Sequence, residues 1–276
     1  MEKTKIGWVH DFNNAQHPGG AQQTNRVMLD NVPDHLEIYE VSPDHFDLGC
    51  DLYIINNIRT FTREQALVLL SKPHVNWFHD IIGCPHQHIR VDVAKKDALV
   101  NIFLSPLLAD AYESKFNVEL EGYIVPSAME ISRFTDVTRP EQQEDNWLWV
   151  GDIQLHKGID DVLLAARAQN KIVDFWGFGN KQLIMQIQNS NYGKIKGYYP
   201  QDEIENLYAM YSTFIHLPSG TEAFGRTVAE AMLAGCTTIT NGNVGLNTIA
   251  NNREELIGQL QLVPETFWGL IEKALP

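Results

Sequence analysis

Short apolar runs rich in Val and Ile alternate along the chain with longer stretches of helical periodicity, the pattern of a parallel sheet covered on both faces. Two such series are visible. The first has apolar runs at 5–10, 36–41, 52–55, 75–78, 100–104 and 123–125, separated mostly by helical patterns at 20–30, 62–70, 91–98 and 106–116. From 126 to 146 the pattern lapses into a polar, aperiodic stretch that reads as an interdomain connection. The second series opens with a run at 147–150 and a helix at 159–169. It continues with a run at 172–175, a helix from 181, a run around Ile195, a helix at 202–211 and runs at 213–217 and 237–240. A final helical pattern covers 265–274.

The most informative segment lies between the last two runs. It reads Ser219-Gly-Thr-Glu222-Ala223-Phe224-Gly225-Arg226-Thr227-Val-Ala-Glu230-Ala-Met-Leu-Ala-Gly235 and leads from an apolar run through a Gly/Pro/Ser loop into an Ala-rich helical pattern. That is a strand end followed by a helix start, the ligand-binding edge of open α/β sheets. With the helix beginning near Gly225 or Arg226, Glu230 is expected about two turns in and Glu222 on the loop, so the two acids are not an i,i+4 pair. The backbone N–H groups of Phe224 to Thr227 then face outward at the helix N-terminus, a site for phosphate or another anion. Carboxylates on either side suit sugar hydroxyls, and the combination outlines a nucleotide-sugar. Either glutamate taken alone reads more simply as a solvated loop acid or a helix-face charge.

The stretch 218–236 resembles the E-x7-E signature of retaining glycosyltransferases of the GT-B fold, above all the family 4 group, because it joins both acids to Phe224-Gly225, to Glu230-Ala-Met and to Gly235. The resemblance implies an α/β GT-B architecture of two Rossmann-like domains facing each other across a cleft. The domains are expected at 1–127 on the acceptor side and 147–262 on the nucleotide-sugar side, with a linker at 128–146 and a helix at 263–276 that folds back over the first. It further implies that Glu222 faces the transferred sugar, Glu230 holds the ribose, and Ala223, Phe224, Gly225, Arg226 and Thr227 meet the diphosphate. The implied chemistry is a metal-independent, same-face transfer in which the leaving diphosphate helps accept the acceptor's proton, with no cofactor beyond the donor substrate.

Other segments extend this expectation. Gly151-Asp152-Ile-Gln-Leu-His156-Lys157-Gly158 resembles the family's loop after the first donor-domain strand, where Lys157 would neutralise the leaving diphosphate. Asp152 departs from the Arg usual there, so one cation is missing and Arg226 is a candidate substitute; on its own, Lys157 reads as a solvated helix-start lysine. Gly19-Gly20 lies between the first strand and its helix, where paired glycines permit close approach of a ligand or form a plain turn. His79, after the run 75–78, aligns with a histidine that touches the donor sugar in similar enzymes; a satisfied structural histidine is the alternative. Asp80 and the pair His10-Asp11 are expected on the acceptor side. Gly177-Phe178-Gly179 and Gly197-Tyr198-Tyr199 would frame the base, with Tyr198 or Tyr199 stacking on it or packing in the core. A lone G-x-G without the rest of the dinucleotide fingerprint does not indicate NAD. Cys84-Pro-His86-Gln-His88 invites a zinc reading, but no second Cys/His pair stands at finger-like spacing, and a loop at the cleft is preferred.

Composition narrows the function classes. The 276 residues suffice for two modest domains, and 44% hydrophobic content supports an ordinary core. A formal charge of −14 disfavours a broad basic surface for nucleic acid or anionic lipid. Three scattered cysteines indicate reduced thiols, and the start lacks a signal-peptide core, so a soluble cytoplasmic protein is expected. The sequence leaves the donor's base and sugar open, and the acceptor open among a glycan, a lipid, a small molecule and a modified DNA base. A weakly catalytic nucleotide-sugar-binding or regulatory protein and a viral-type transferase acting on modified DNA bases are the alternatives.

Overall fold

The computed structural model describes residues 3–10, 19–80 and 87–275. The chain divides into two compact units, Met1–Met129 with Leu260–Pro276 and Glu130–Gln259.

The first unit runs β1 (Thr4–Val9), α1 (Gly20–Leu29), β2 (Leu36–Val41), β3 (Leu52–Ile55), α2 (Arg63–Leu70), β4 (His74–Phe78), α3 (Gln87–Ala94), β5 (Val100–Phe103), α4 (Pro106–Phe116) and β6 (Tyr123–Ile124). The strands form one parallel sheet in the order β2-β1-β3-β4-β5-β6. Every residue of β3 and β4 is buried, which is why these strands read as unbroken apolar runs rather than as alternation. Local signals fix the helix starts: Thr62 and Gln65 close a capping box on α2, and Ser105 caps α4 with Pro106 in its first turn. Helix α3 begins at Gln87, four residues before the predicted 91–98, because its inward face carries Arg90 beside Val91 and Ala94, and a buried arginine breaks the apolar period.

The second unit runs α5 (Ile131–Thr135), β7 (Trp147–Val150), α6 (Ile159–Ala168), β8 (Val173–Trp176), α7 (Lys181–Asn189), β9 (Gly193–Gly197), α8 (Ile204–Met210), β10 (Thr213–His216), α9 (Arg226–Leu233), β11 (Thr237–Thr240) and α10 (Arg253–Gln261). Its parallel sheet has the order β11-β10-β7-β8-β9. The polar stretch 128–146, expected as an interdomain connection, is anchored on this unit. Arg133 Nε donates to Glu205 at 2.8 Å, and Arg139 donates to the Ala234 and Tyr211 carbonyls at 2.7 Å each. Phe134 is buried against Tyr208. Arginines and one aromatic ring do the anchoring, which leaves no apolar period in the sequence.

The chain then returns to the first unit through α11 (Val263–Lys273). Phe267 and Ile271 are fully buried, and the Phe267 ring lies 4.5 Å from that of Trp77. Trp268 packs on Trp8 at 6.0 Å and donates its indole N–H to the Met28 carbonyl at 3.2 Å. Among the described residues no helix is long and apolar enough to cross a membrane, and Cys50 and Cys236 are free thiols.

Replacing Phe267 by Ala empties the centre of this aromatic group and is expected to cost about 3–5 kcal/mol in the unfolding of the first unit. Urea unfolding followed by tryptophan fluorescence checks this; a loss no larger than that of a surface substitution would show that α11 does not complete this core.

Candidate functional site

Parallel strands deliver all their following loops to one edge of a sheet. In the second unit that edge carries the 151–158 loop after β7, Gly177–Gly179 after β8, Gly197–Tyr199 after β9 and the 217–225 loop after β10. The last of these is pinned on both sides. Ser219 N–H donates to the His156 carbonyl at 3.0 Å, and the side-chain amides of Asn241 and Asn243 donate to the Pro218 carbonyl at 2.9 and 2.8 Å. Glu222 itself exchanges backbone bonds with Asn243 and Gly245, at 2.8 and 2.9 Å. Two glycines permit this approach. Gly158 sits at φ 66°, and a Cβ there would lie 1.7 Å from the Leu217 carbonyl oxygen; Gly225, at φ 90°, would drive one to 2.6 Å from Val244 Cγ1.

The Glu222 carboxylate, thus fixed at its backbone, accepts from two donors on one oxygen. Lys157 Nζ, at the end of a 3-10 turn (Leu155–Lys157), bonds Oε2, and His216 Nε2, at the end of β10, lies 3.4 Å from the same atom. Burial would push this carboxyl up, but the His216 hydrogen bond and then the Lys157 charge outweigh it and hold it down at about 2. The neighbouring His156 imidazole is lowered by its own burial and then by the Lys157 charge.

Helix α9 begins at Arg226 with Gly225 as its cap. Glu230 therefore stands about one turn into the helix rather than two. That spacing makes it the i,i+4 partner of Arg226, whose Nε donates to Glu230 Oε1 at 3.1 Å, while the Tyr208 hydroxyl donates to Oε2 at 2.9 Å. Only 4% of the Glu230 side chain is exposed, so it is no solvated helix-face charge, and burial pushes its carboxyl up against the pull of Arg226 and Tyr208. Arg226, the candidate substitute cation, is committed through Nε to Glu230. Ala223 and Phe224 are buried beneath the loop, and Thr227 is half-buried in the first turn of α9. Asp152 accepts from Gln154 at 3.1 Å.

Farther along the edge, Tyr198 and Phe178 are both more than 60% exposed with ring centroids 6.4 Å apart, whereas Tyr199 meets Trp176 edge-on at 5.3 Å. Tyr198 is therefore the free face of the pair 198–199, and Phe178 joins it.

In the first unit the expected residues also collect at the C-terminal sheet edge. Gly19 caps α1 and Gly20 begins it. His10 follows β1 with Nε2 3.4 Å from Glu40 Oε1, and Asp80 follows β4, its carbonyl accepting from the Tyr112 hydroxyl at 2.6 Å. His79 Nε2 donates to Asn56 Oδ1 at 3.1 Å, and its ring lies 4.3 Å from that of Trp77. Burial and then the charge of Arg90 lower its imidazole to about 3, so it is neutral at physiological pH. Arg90, which sequence reasoning missed, threads beneath these loops and donates to the Asn56, Ile55 and Trp77 carbonyls. Asp11 and the Cys84/His86 part of the zinc reading lie outside the described residues. Among the described residues no group of three or more His, Cys, Asp and Glu is placed to hold a metal ion.

Residues 133–263 match the family described as "Glycosyl transferases group 1". The matched stretch spans nearly all of the second unit. No curated protein matches the chain. Solved structures resemble it over nearly its full length. Sucrose-phosphate synthase from Thermosynechococcus elongatus shares 14% identity at a TM-score of 0.72, covering 98% of this chain and 99% of its own. A Rickettsia africae glycosyltransferase shares 14% at 0.71, covering 99% of both chains. Anabaena HepE, in complex with UDP and glucose, shares 18% at 0.67, covering 97% of this chain and 92% of its own. The fold is GT-B, and the matched stretch contains Glu222, Lys157, His216 and Glu230 together.

Linkage makes the Glu222 environment measurable. A carboxyl held at about 2 in the fold, against an ordinary 4.5, contributes stability that is present above pH 4.5 and lost as pH falls toward 2. Glu222→Gln is expected to flatten that part of the acid unfolding curve, measured by urea titrations at stepped pH.

Proposed function

We propose that the chain is a retaining glycosyltransferase that moves a sugar from a nucleoside diphosphate donor to an acceptor hydroxyl. The observation that carries this reading is the charged Glu222 carboxylate held beside Lys157 on a pinned loop that leads into the N-terminus of α9. A diphosphate at that N-terminus would meet the positive end of the helix and the Lys157 ammonium, with Glu222 facing the sugar and Glu230 the ribose. The exposed Phe178 and Tyr198 rings offer the base a stacking surface. HepE, of the same fold, binds UDP and glucose, which supports a nucleotide-sugar donor and makes UDP the first base to try.

Bond breaking at the anomeric carbon leaves charge on the diphosphate. Lys157 and the α9 dipole stabilise that charge where it develops, and the departing phosphate oxygen accepts the proton of the incoming hydroxyl on the same face of the sugar. This displacement asks for no metal. His79, neutral at physiological pH, would contact the sugar as a hydrogen-bonding group rather than as a charge.

One observation favours a second reading, a nucleotide-sugar-binding protein with little turnover. Both cations beside the anion site are already paired, Lys157 with Glu222 and Arg226 with Glu230, and Asp152 adds a negative charge to the loop.

A thermal-shift and turnover screen of UDP-, GDP-, ADP- and dTDP-sugars separates these readings. Transfer or donor hydrolysis by the wild-type chain, reduced about 100- to 1,000-fold in Glu222→Ala and in Lys157→Ala, is the expected result. Binding without turnover across a broad acceptor panel supports the second reading, and no shift with any nucleotide would falsify both.

A further inference from the structure

Oxygen Oε2 of Glu222 is held twice, by two very different groups. Lys157 reaches it with a rotatable ammonium on a four-carbon stem. His216 reaches it from the last position of β10, with only 2% of its side chain exposed. Its ring lies 6.4 Å from both Trp149 and Phe214, stacked on the latter at 28°. Packing therefore fixes the ring, and the backbone bonds of Glu222 to Asn243 and Gly245 fix the acceptor's main chain. The His216 Nδ1 is buried and has no hydrogen-bond partner among the described residues. Protonation at Nε2 thus serves both needs: a donor to the carboxylate, and a bare nitrogen rather than an unmet N–H toward the apolar side. A phenylalanine would satisfy the same packing, and the hydrogen bond to Glu222 is what the imidazole adds.

We propose that His216 is a positioning residue that keeps the Glu222 carboxylate aimed at the transferred sugar when Lys157 leaves Oε2 for the diphosphate of the donor. The proposal rests on the reading above, in which Glu222 meets the sugar and Lys157 the diphosphate. A doubly charged diphosphate competes for the ammonium more strongly than one carboxylate does, and a carboxylate then left alone would be repelled by the same diphosphate. The fixed His216 N–H prevents that swing and leaves Oε1 for a sugar hydroxyl. Among the described residues, Lys157 and His156 of the 151–158 loop also act on Glu222, and Asp152 of that loop acts on His156.

Two variants separate positioning from packing. His216→Phe keeps a ring and removes the donor; His216→Gln loses the ring and sets an amide nitrogen near the place of Nε2. With UDP-glucose, His216→Phe is expected to lower kcat about 10- to 100-fold while leaving the affinity for UDP, which lacks the sugar, within about twofold. Its acid limb of kcat/KM should move to higher pH, because Glu222 loses a bond that favours its charged form. His216→Gln should recover most of the loss. A fully active His216→Phe, or a Gln variant as impaired as the Phe variant, overturns the proposal. Carbon-13 titration of the Glu222 carboxyl in the free protein needs no donor: His216→Phe should raise its midpoint by roughly one unit or more. An unchanged midpoint overturns the proposal even if no nucleotide-sugar is turned over by the wild type, a result that by itself would count against the transferase reading instead.

Discussion

A carboxylate withdrawn from water stays charged only where other donors replace the water it has lost, and much of the local architecture of the second unit meets that requirement at Glu222. The 3-10 turn places Lys157, the end of β10 places His216, and asparagines after β11 hold the intervening loop by its carbonyls. Gly158 lets the turn and the loop touch. The loop that bears the carboxylate opens directly into α9.

Charge is balanced in pairs around that helix start. Lys157 faces Glu222, and Arg226 faces Glu230, which also accepts from Tyr208 in a nearly dry setting. The pairs differ in accessibility: the first is about one-fifth exposed on each side chain, whereas the second is largely buried. An anionic ligand can therefore draw on Lys157 at low cost, while Arg226 would have to abandon a buried carboxylate, the more expensive rearrangement. Within the proposed reaction this makes Lys157 the working cation and Arg226 the fixed support of Glu230.

The inner strands were legible because they are buried on both faces and so appear as continuous apolar runs, as in β3 and β4, and β2, β3, β7 and β11 stand at the boundaries expected from the pattern. The loop–helix passage around Glu222 was legible for another reason: Gly, Pro and Ser mark a turn, and an Ala-rich period marks the helix after it. What escaped was polar and load-sharing at once. Arg90 and Arg133 sit inside or against the fold, where a reading based on apolar periodicity counts arginine as surface. His216 and Tyr208 lay within apolar-looking segments, and their link to an acid appears only when strands and helices bring residues 6 and 22 positions apart together. The one-turn position of Glu230 was available from the helix start, but its bond to Arg226 also needed the side chains to turn inward.

The return of α11 to the first unit has a consequence for how the chain matures. Synthesis proceeds from the N-terminus, and domains tend to fold as they emerge. The first sheet is made early, yet the rings of Phe267 and Trp268 that cover Trp8 and Trp77 are added only after the whole second unit has been translated. Throughout that interval an indole-rich surface of the nascent protein stands open, a natural place for a chaperone to bind and the point at which premature termination would leave an aggregation-prone product.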